Sequence, residues 1–157
     1  MLKTDFYTQL IQQTKALIGD EEDVIANMAN ISALLYDELD QVNWAGFYRV
    51  IEHELVLGPF QGKIACIRIP IGKGVCGTAV SENRTQRIAD VHQFSGHIAC
   101  DAASNSEIVI PLRVNNKVIA VLDIDSTVFN RFDDVDQTGL ESIAKILEES
   151  LSVDEGQ

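Results

Sequence analysis

Cys100 lies in Ser95-Gly96-His97-Ile98-Ala99-Cys100-Asp101-Ala102-Ala103-Ser104-Asn105-Ser106-Glu107, a stretch too polar and too rich in small residues for a core. Its glycine, alanines and serines supply tight turns and free backbone amides around one thiol. Such amides favour a thiolate, while Asp101 opposes it, so the loop has the chemistry of a reactive cysteine. The other two thiols sit differently. Cys66 lies among Ile64, Ile67 and Ile69, where burial accounts for it, and Cys76 lies in the glycine-rich segment Gly72 to Val80. An odd number of cysteines suits a redox cycle. One thiolate takes the oxygen from an oxidised substrate and becomes a sulfenic acid, a second condenses with it to a disulfide, and an external dithiol restores both. A zinc site of Cys66, Cys76 and Cys100 with His92 or His97 is the rival, but no pair has the short Cys-x2–4-Cys spacing that pre-organises one. His97 reads as a loop histidine bonded to backbone, and His53 and His92 carry no expected role.

Three carboxylates form the second chemical group. In Val118-Ile119-Ala120-Val121-Leu122-Asp123-Ile124-Asp125, strand alternation sends Asp123 and Asp125 to one face and Leu122 and Ile124 to the other. The two charges then stand about 7 Å apart, a costly arrangement inside a sheet unless something positive meets it. Glu107 opens the neighbouring strand of the same expected hairpin and completes the trio. A cationic ligand such as an amino group, or a metal, would satisfy it; the plainer alternative is that Asp125 caps a strand end and Asp123 bonds a loop amide.

These residues need a sheet to hold them. Asn43 to Val50 and Glu54 to Phe60 read as a hairpin turning at Glu52-His53, with Trp44, Gly46, Tyr48 and Val50 on one face and a gap at Gly46 that could hold a small ligand. Lys63 to Pro70 reads as a further strand or extended segment leading into a short helix. Gln86 to Ala89 is a short strand, and Glu107 to Leu112 with Lys117 to Asp125 form a second hairpin about Asn115-Asn116. Helical spacing marks Asp5 to Ile18, a second helix capped by Asp20 with Val24, Met28, Ile31 and Leu35 on its buried face, and a terminal helix entered through Asp133 to Asp136. The expected architecture is α+β: about six antiparallel strands, with N-terminal helices and a C-terminal helix laid on the sheet.

Composition narrows the function. The 157 residues suit one domain, and 46% apolar residues suffice for one core. With 24 acidic against 12 basic residues and a formal charge of −12, the chain repels nucleic acid and anionic lipid. No apolar run reaches a membrane span and the first residues lack a signal-peptide layout, so a cytoplasmic protein is expected, with Asn30-Ile31-Ser32 and Asn83-Arg84-Thr85 coincidental glycosylation triplets. Gly72-Lys73-Gly74 does not meet phosphate-loop spacing. Asp134 to Gly139 imitates the start of a calcium loop but has Lys145 where a bidentate glutamate belongs, so helix capping is the better reading.

With those residues assembled, the chain resembles the free methionine-(R)-sulfoxide reductase family, single GAF domains acting on the free amino acid. The resemblance spans nearly the whole chain, residues 1–157 as one GAF domain. It rests on Asn43 to Tyr48, Leu57 to Cys66, Gly74-Val75-Cys76-Gly77-Thr78-Ala79, His97 to Glu107 and Leu122 to Ser126. It implies Cys100 as nucleophile on the sulfoxide sulfur, Cys66 as main resolving thiol and Cys76 as secondary partner or relay. It also implies Trp44 and Tyr48 around the methylsulfinyl end, with Glu107, Asp123 and Asp125 gripping the ammonium and the sulfoxide oxygen. By charge alone an acidic trio selects a free amino group, with Glu107 and Asp125 as alternatives for the proton donor. No metal or organic cofactor is expected. The expected partners are free methionine-(R)-sulfoxide, a thioredoxin-like reductant and a second copy in a homodimer, but no nucleic acid and no membrane. A non-catalytic GAF sensor for a small molecule is the rival reading, which the acid-lined pocket disfavours for anionic nucleotides.

Overall fold

A computed structural model of the chain describes residues 1–96 and 103–155, with side chains as far as Leu151. Its elements in order are α1 (Lys3–Ile18), α2 (Val24–Glu38), β1 (Val42–Ile51), β2 (Glu54–Gly62), β3 (Arg68–Pro70), α3 (Gly74–Glu82), β4 (Gln86–Ile88), a single 3-10 turn (Val91–Gln93), β5 (Ser106–Val114), β6 (Lys117–Ser126) and α4 (Asp134–Glu155). The six strands form one antiparallel sheet in the order β3-β2-β1-β6-β5-β4. Both expected hairpins are present. Their turns place two successive residues in the left-handed region, Glu52 and His53 at φ 47° and 71°, and Asn115 and Asn116 at 54° and 64°, the twist that matches paired strands.

Alternation along the strands divides the sheet into two environments. Ala45, Phe47, Ile108, Ile110, Leu112, Leu122 and Ile124 face α1, α2 and α4 and form the larger core with Leu10, Met28, Leu35, Leu140 and Ile143. Trp44, Tyr48, Val109 and Val121 face the other way and pack with Leu55, Ile69, Val75, Cys76 and Ala79. The helices therefore do not all share one face: α3 covers the second. Its Gly-rich start carries no amphipathic period from which the sequence could have revealed this.

The helix ends explain two further details. Asp23, not Asp20, caps α2 by accepting a hydrogen bond from the Ala26 amide at 2.8 Å. At α4, Asp133 accepts from the Asp136 amide at 3.0 Å while Asp136 accepts from the Asp133 amide at 2.9 Å, a reciprocal cap. The buried Asp136 carboxylate also accepts from Tyr7 Oη at 2.6 Å and pairs with Lys3 Nζ at 3.0 Å, which ties α1 to α4.

The expected gap at Gly46 does not exist. A Cβ built there would lie 2.7 Å from Phe60 Cα and 2.8 Å from the Pro59 carbonyl oxygen, because β2 bulges where its register shifts between Gly46 and Tyr48. The missing side chain makes room for the neighbouring strand, not for a ligand. Gly46→Ala is expected to destabilise the fold by about 1–3 kcal/mol through overpacking, read as a lowered denaturant midpoint. An unchanged midpoint would contradict the close approach.

Candidate active site

The register brings the three carboxylates onto one face. Trp44 on β1 stands opposite Asp125 on β6, and Asp125 opposite Glu107 on β5. One pleat along, Gly46 is opposite Asp123 and Asp123 opposite Val109. Glu107 and Asp123 are only 7% and 5% exposed. Cys76, delivered from α3, completes a compact group in which its sulfur and one carboxylate oxygen each of Glu107 and Asp123 lie within 4.8 Å of one another.

Burial dominates the electrostatics. It pushes the Glu107 carboxyl well above the usual carboxylate range, and the charges of Asp123 and Asp125 push it further. Asp123 is also raised by burial, against the hydrogen bonds it shares with Glu107 and Cys76. With both carboxyls raised, the Glu107–Asp123 pair holds a proton further toward neutral pH than free carboxyls would. The Cys76 thiol is driven well up, first by burial and then by Asp123 and Glu107, so it rests as a thiol and not as a nucleophilic thiolate. Asp123 Oδ1 is buried without a hydrogen-bond partner among the described residues. A buried acceptor of this kind calls for a donor, and an ammonium placed there would meet both the geometry and the charge. The Cys76, Glu107 and Asp123 atoms also have the spacing to hold a divalent cation, at the cost of displacing protons from Cys76 and Glu107.

Aromatic rings form the adjoining wall. Trp44 stacks on Tyr48 with centroids 6.0 Å apart and on Phe60 at 5.1 Å. Phe60 was not among the expected residues; the bulge that turns it toward Trp44 has no signal in strand alternation alone. Trp44 Nε1 donates to the Lys63 carbonyl at 3.1 Å, and Tyr48 Oη donates to the Cys66 carbonyl at 2.9 Å. The Tyr48 hydroxyl is kept protonated, its pKa raised by burial and then by Asp123.

Those two bonds fix the segment 63–67, which the sequence suggested as a strand or extended segment. Only Arg68–Pro70 pairs in the sheet; residues 63–67 form an extended strap across its end, held also by Leu57 N–H donating to the Ile67 carbonyl at 2.9 Å. Cys66 on this strap is half-buried and disulfide-bonded, while its neighbours Ile64 and Ile67 are exposed, contrary to the reading of this stretch as buried. Cys76 is the free thiol among the described cysteines. The expected nucleophile Cys100, with His97 and Asp101, lies outside the described residues.

A six-stranded antiparallel sheet with three helices on one face and a fourth helix on the other is the plan of a GAF domain, and the GAF domain family model matches residues 26–151. The free methionine-R-sulfoxide reductase of Escherichia coli (strain K12) is 60% identical over 97% of this chain and 92% of its own length. The substrate complex of fRMsr from Staphylococcus aureus superposes with a TM-score of 0.89 at 61% identity, covering 92% of this chain and 95% of that one. The free methionine-R-sulfoxide reductase of Neisseria meningitidis in complex with its substrate gives 0.95 at 41% identity, over 99% and 94%. The chain belongs to the free methionine-R-sulfoxide reductase family of GAF-domain proteins.

Proposed function

We propose that this enzyme reduces free L-methionine-(R)-S-oxide to L-methionine with electrons from a protein dithiol. The observation that carries the reading is the buried carboxylate group with an unpartnered oxygen beside a stacked aromatic wall. Asp123 and Asp125 receive the substrate ammonium, while Trp44 and Tyr48 flank the methyl and sulfur. Cys100 is the nucleophile. Its thiolate attacks the sulfoxide sulfur as Glu107 protonates the sulfoxide oxygen; the hydroxyl then passes to the Cys100 sulfur while the new S–S bond breaks, so methionine leaves and Cys100 becomes a sulfenic acid. Cys66 attacks that sulfur, forming the Cys66–Cys100 disulfide and water. A thioredoxin-like protein then reduces the bridge by exchange, with Cys76 in reserve as a secondary thiol.

No helix among the described residues is long and apolar enough to cross a membrane. A cytoplasmic setting, where thiols are kept reduced, suits the three cysteines. The reading is tested by comparing the free R sulfoxide with its N-acetyl derivative, using dithiothreitol as donor. Acetylation removes the positive charge and places an amide against buried carboxylates, so kcat/KM is expected to fall by about a hundredfold or more. Equal rates would remove the ammonium from the argument and with it the preference for the free amino acid.

A further inference from the structure

The strap carrying Cys66 shows an arrangement that the chemistry of the pocket does not require. Its backbone is bonded inward at Lys63, Cys66 and Ile67, yet Ile64 is 91% and Ile67 67% exposed. Three hydrogen bonds hold the segment in this position, so the two branched apolar side chains are presented to solvent by a fixed backbone. They flank the disulfide-bonded cysteine within two residues on either side.

Charge singles out the same region. From Leu55 to Ser81 the chain contains Lys63, Arg68 and Lys73 and no Asp or Glu, although the whole protein carries a formal charge of −12. All three basic side chains are exposed, with Arg68 paired to Glu54 at 2.5 Å. With Arg68 paired to Glu54, Lys63 is the positive charge next to Ile64, and an acidic protein meets less repulsion along this stretch of chain than along the acid-rich remainder.

We propose that Ile64, Ile67 and Lys63 form the docking surface for the protein dithiol that regenerates the enzyme, and that this partner is an acidic thioredoxin-type protein with an apolar rim beside its thiols. The inference rests on the disulfide cycle proposed above. The electrons balance as an exchange: a partner thiolate attacks Cys66 Sγ, the Cys66–Cys100 bond breaks, and Cys100 leaves as thiolate. The partner's second thiolate then attacks its own sulfur in the mixed disulfide, releasing Cys66, so the protein gains two electrons and the partner becomes a disulfide. Ile64 and Ile67 supply apolar contact around the attacked sulfur, and Lys63 gives the approach its sign.

Steady-state turnover of free methionine-(R)-sulfoxide with reduced thioredoxin, and separately with dithiothreitol, tests this on wild type, Ile64→Asp, Ile67→Asp and Lys63→Glu. The isoleucine variants are expected to raise the KM for thioredoxin about tenfold or more, with dithiothreitol-driven kcat within about twofold of wild type, since a small dithiol needs no docking surface. Lys63→Glu is expected to reduce the sensitivity of the wild-type thioredoxin KM to salt. An unchanged thioredoxin KM, or an equal loss with both donors, overturns the docking surface. So does a change of sedimenting mass in Ile64→Asp, which would assign the patch to a second copy of the chain. Wild type inert with both donors overturns the reductase reading itself, and the docking surface falls with it.

Discussion

Cys100→Ser is expected to lower turnover of free methionine-(R)-sulfoxide at least about a thousandfold, because a serine hydroxyl at neutral pH is a far weaker nucleophile than a thiolate. Cys66→Ser should behave differently. It is expected to release a single equivalent of methionine rapidly and then stall with thioredoxin, since the sulfenic acid forms but has lost its resolving partner. Cys76→Ser should leave that first equivalent intact, because burial and the neighbouring carboxyls keep the Cys76 sulfur protonated. Rapid-quench measurement of methionine release, with mass spectrometry to locate the bridge between Cys66 and Cys100, separates the three. Normal steady-state rates in Cys100→Ser would end the nucleophile assignment.

Glu107→Gln is expected to be the most damaging change among the pocket acids, with kcat down by about a hundredfold to ten-thousandfold, the range for loss of a positioned proton donor. The sign of its pH dependence follows from the raised Glu107 pKa. A carboxyl whose pKa lies above the usual range remains protonated further into neutral pH and loses its proton as pH rises through that value. Wild-type kcat should therefore fall on the alkaline side of its profile, and the Gln variant should lack that descending limb. A limb of unchanged position in Glu107→Gln would transfer the proton-donor role to another group. Asp123→Asn serves as the contrast: it weakens the grip on the ammonium, so its loss should fall mainly on KM.

Periodicity made much of the fold legible. The two hairpins could be read because the polar pairs Glu52-His53 and Asn115-Asn116 interrupt clear strand patterns. The shared face of Asp123 and Asp125 followed from the two-residue repeat, and their proximity to Glu107 from hairpin pairing. What the sequence concealed depends on tertiary contact. Residues 63–67 have the apolar composition of a buried strand, but the Trp44 and Tyr48 donors claim their carbonyls and leave Ile64 outside. Gly46 suggested a ligand gap, yet the β2 bulge fills it with Phe60, a displacement that no local pattern announces. The cap of α2 fell on Asp23 instead of Asp20 because the two aspartates are equally good caps until the helix start is fixed.

The division of the sheet into an acid-bearing face and a helix-covered face bears on how the chain avoids misassembly. A slip of β6 by a single residue against its neighbours would carry Asp123 and Asp125 beneath the helices and expel Leu122 and Ile124 toward the pocket. Such an error would lose apolar burial and strand two carboxylates in hydrocarbon at once. The two aspartates thereby also police strand alignment during folding, and an attempt to stabilise the protein by neutralising them would relax a constraint on which of two pairings the chain adopts.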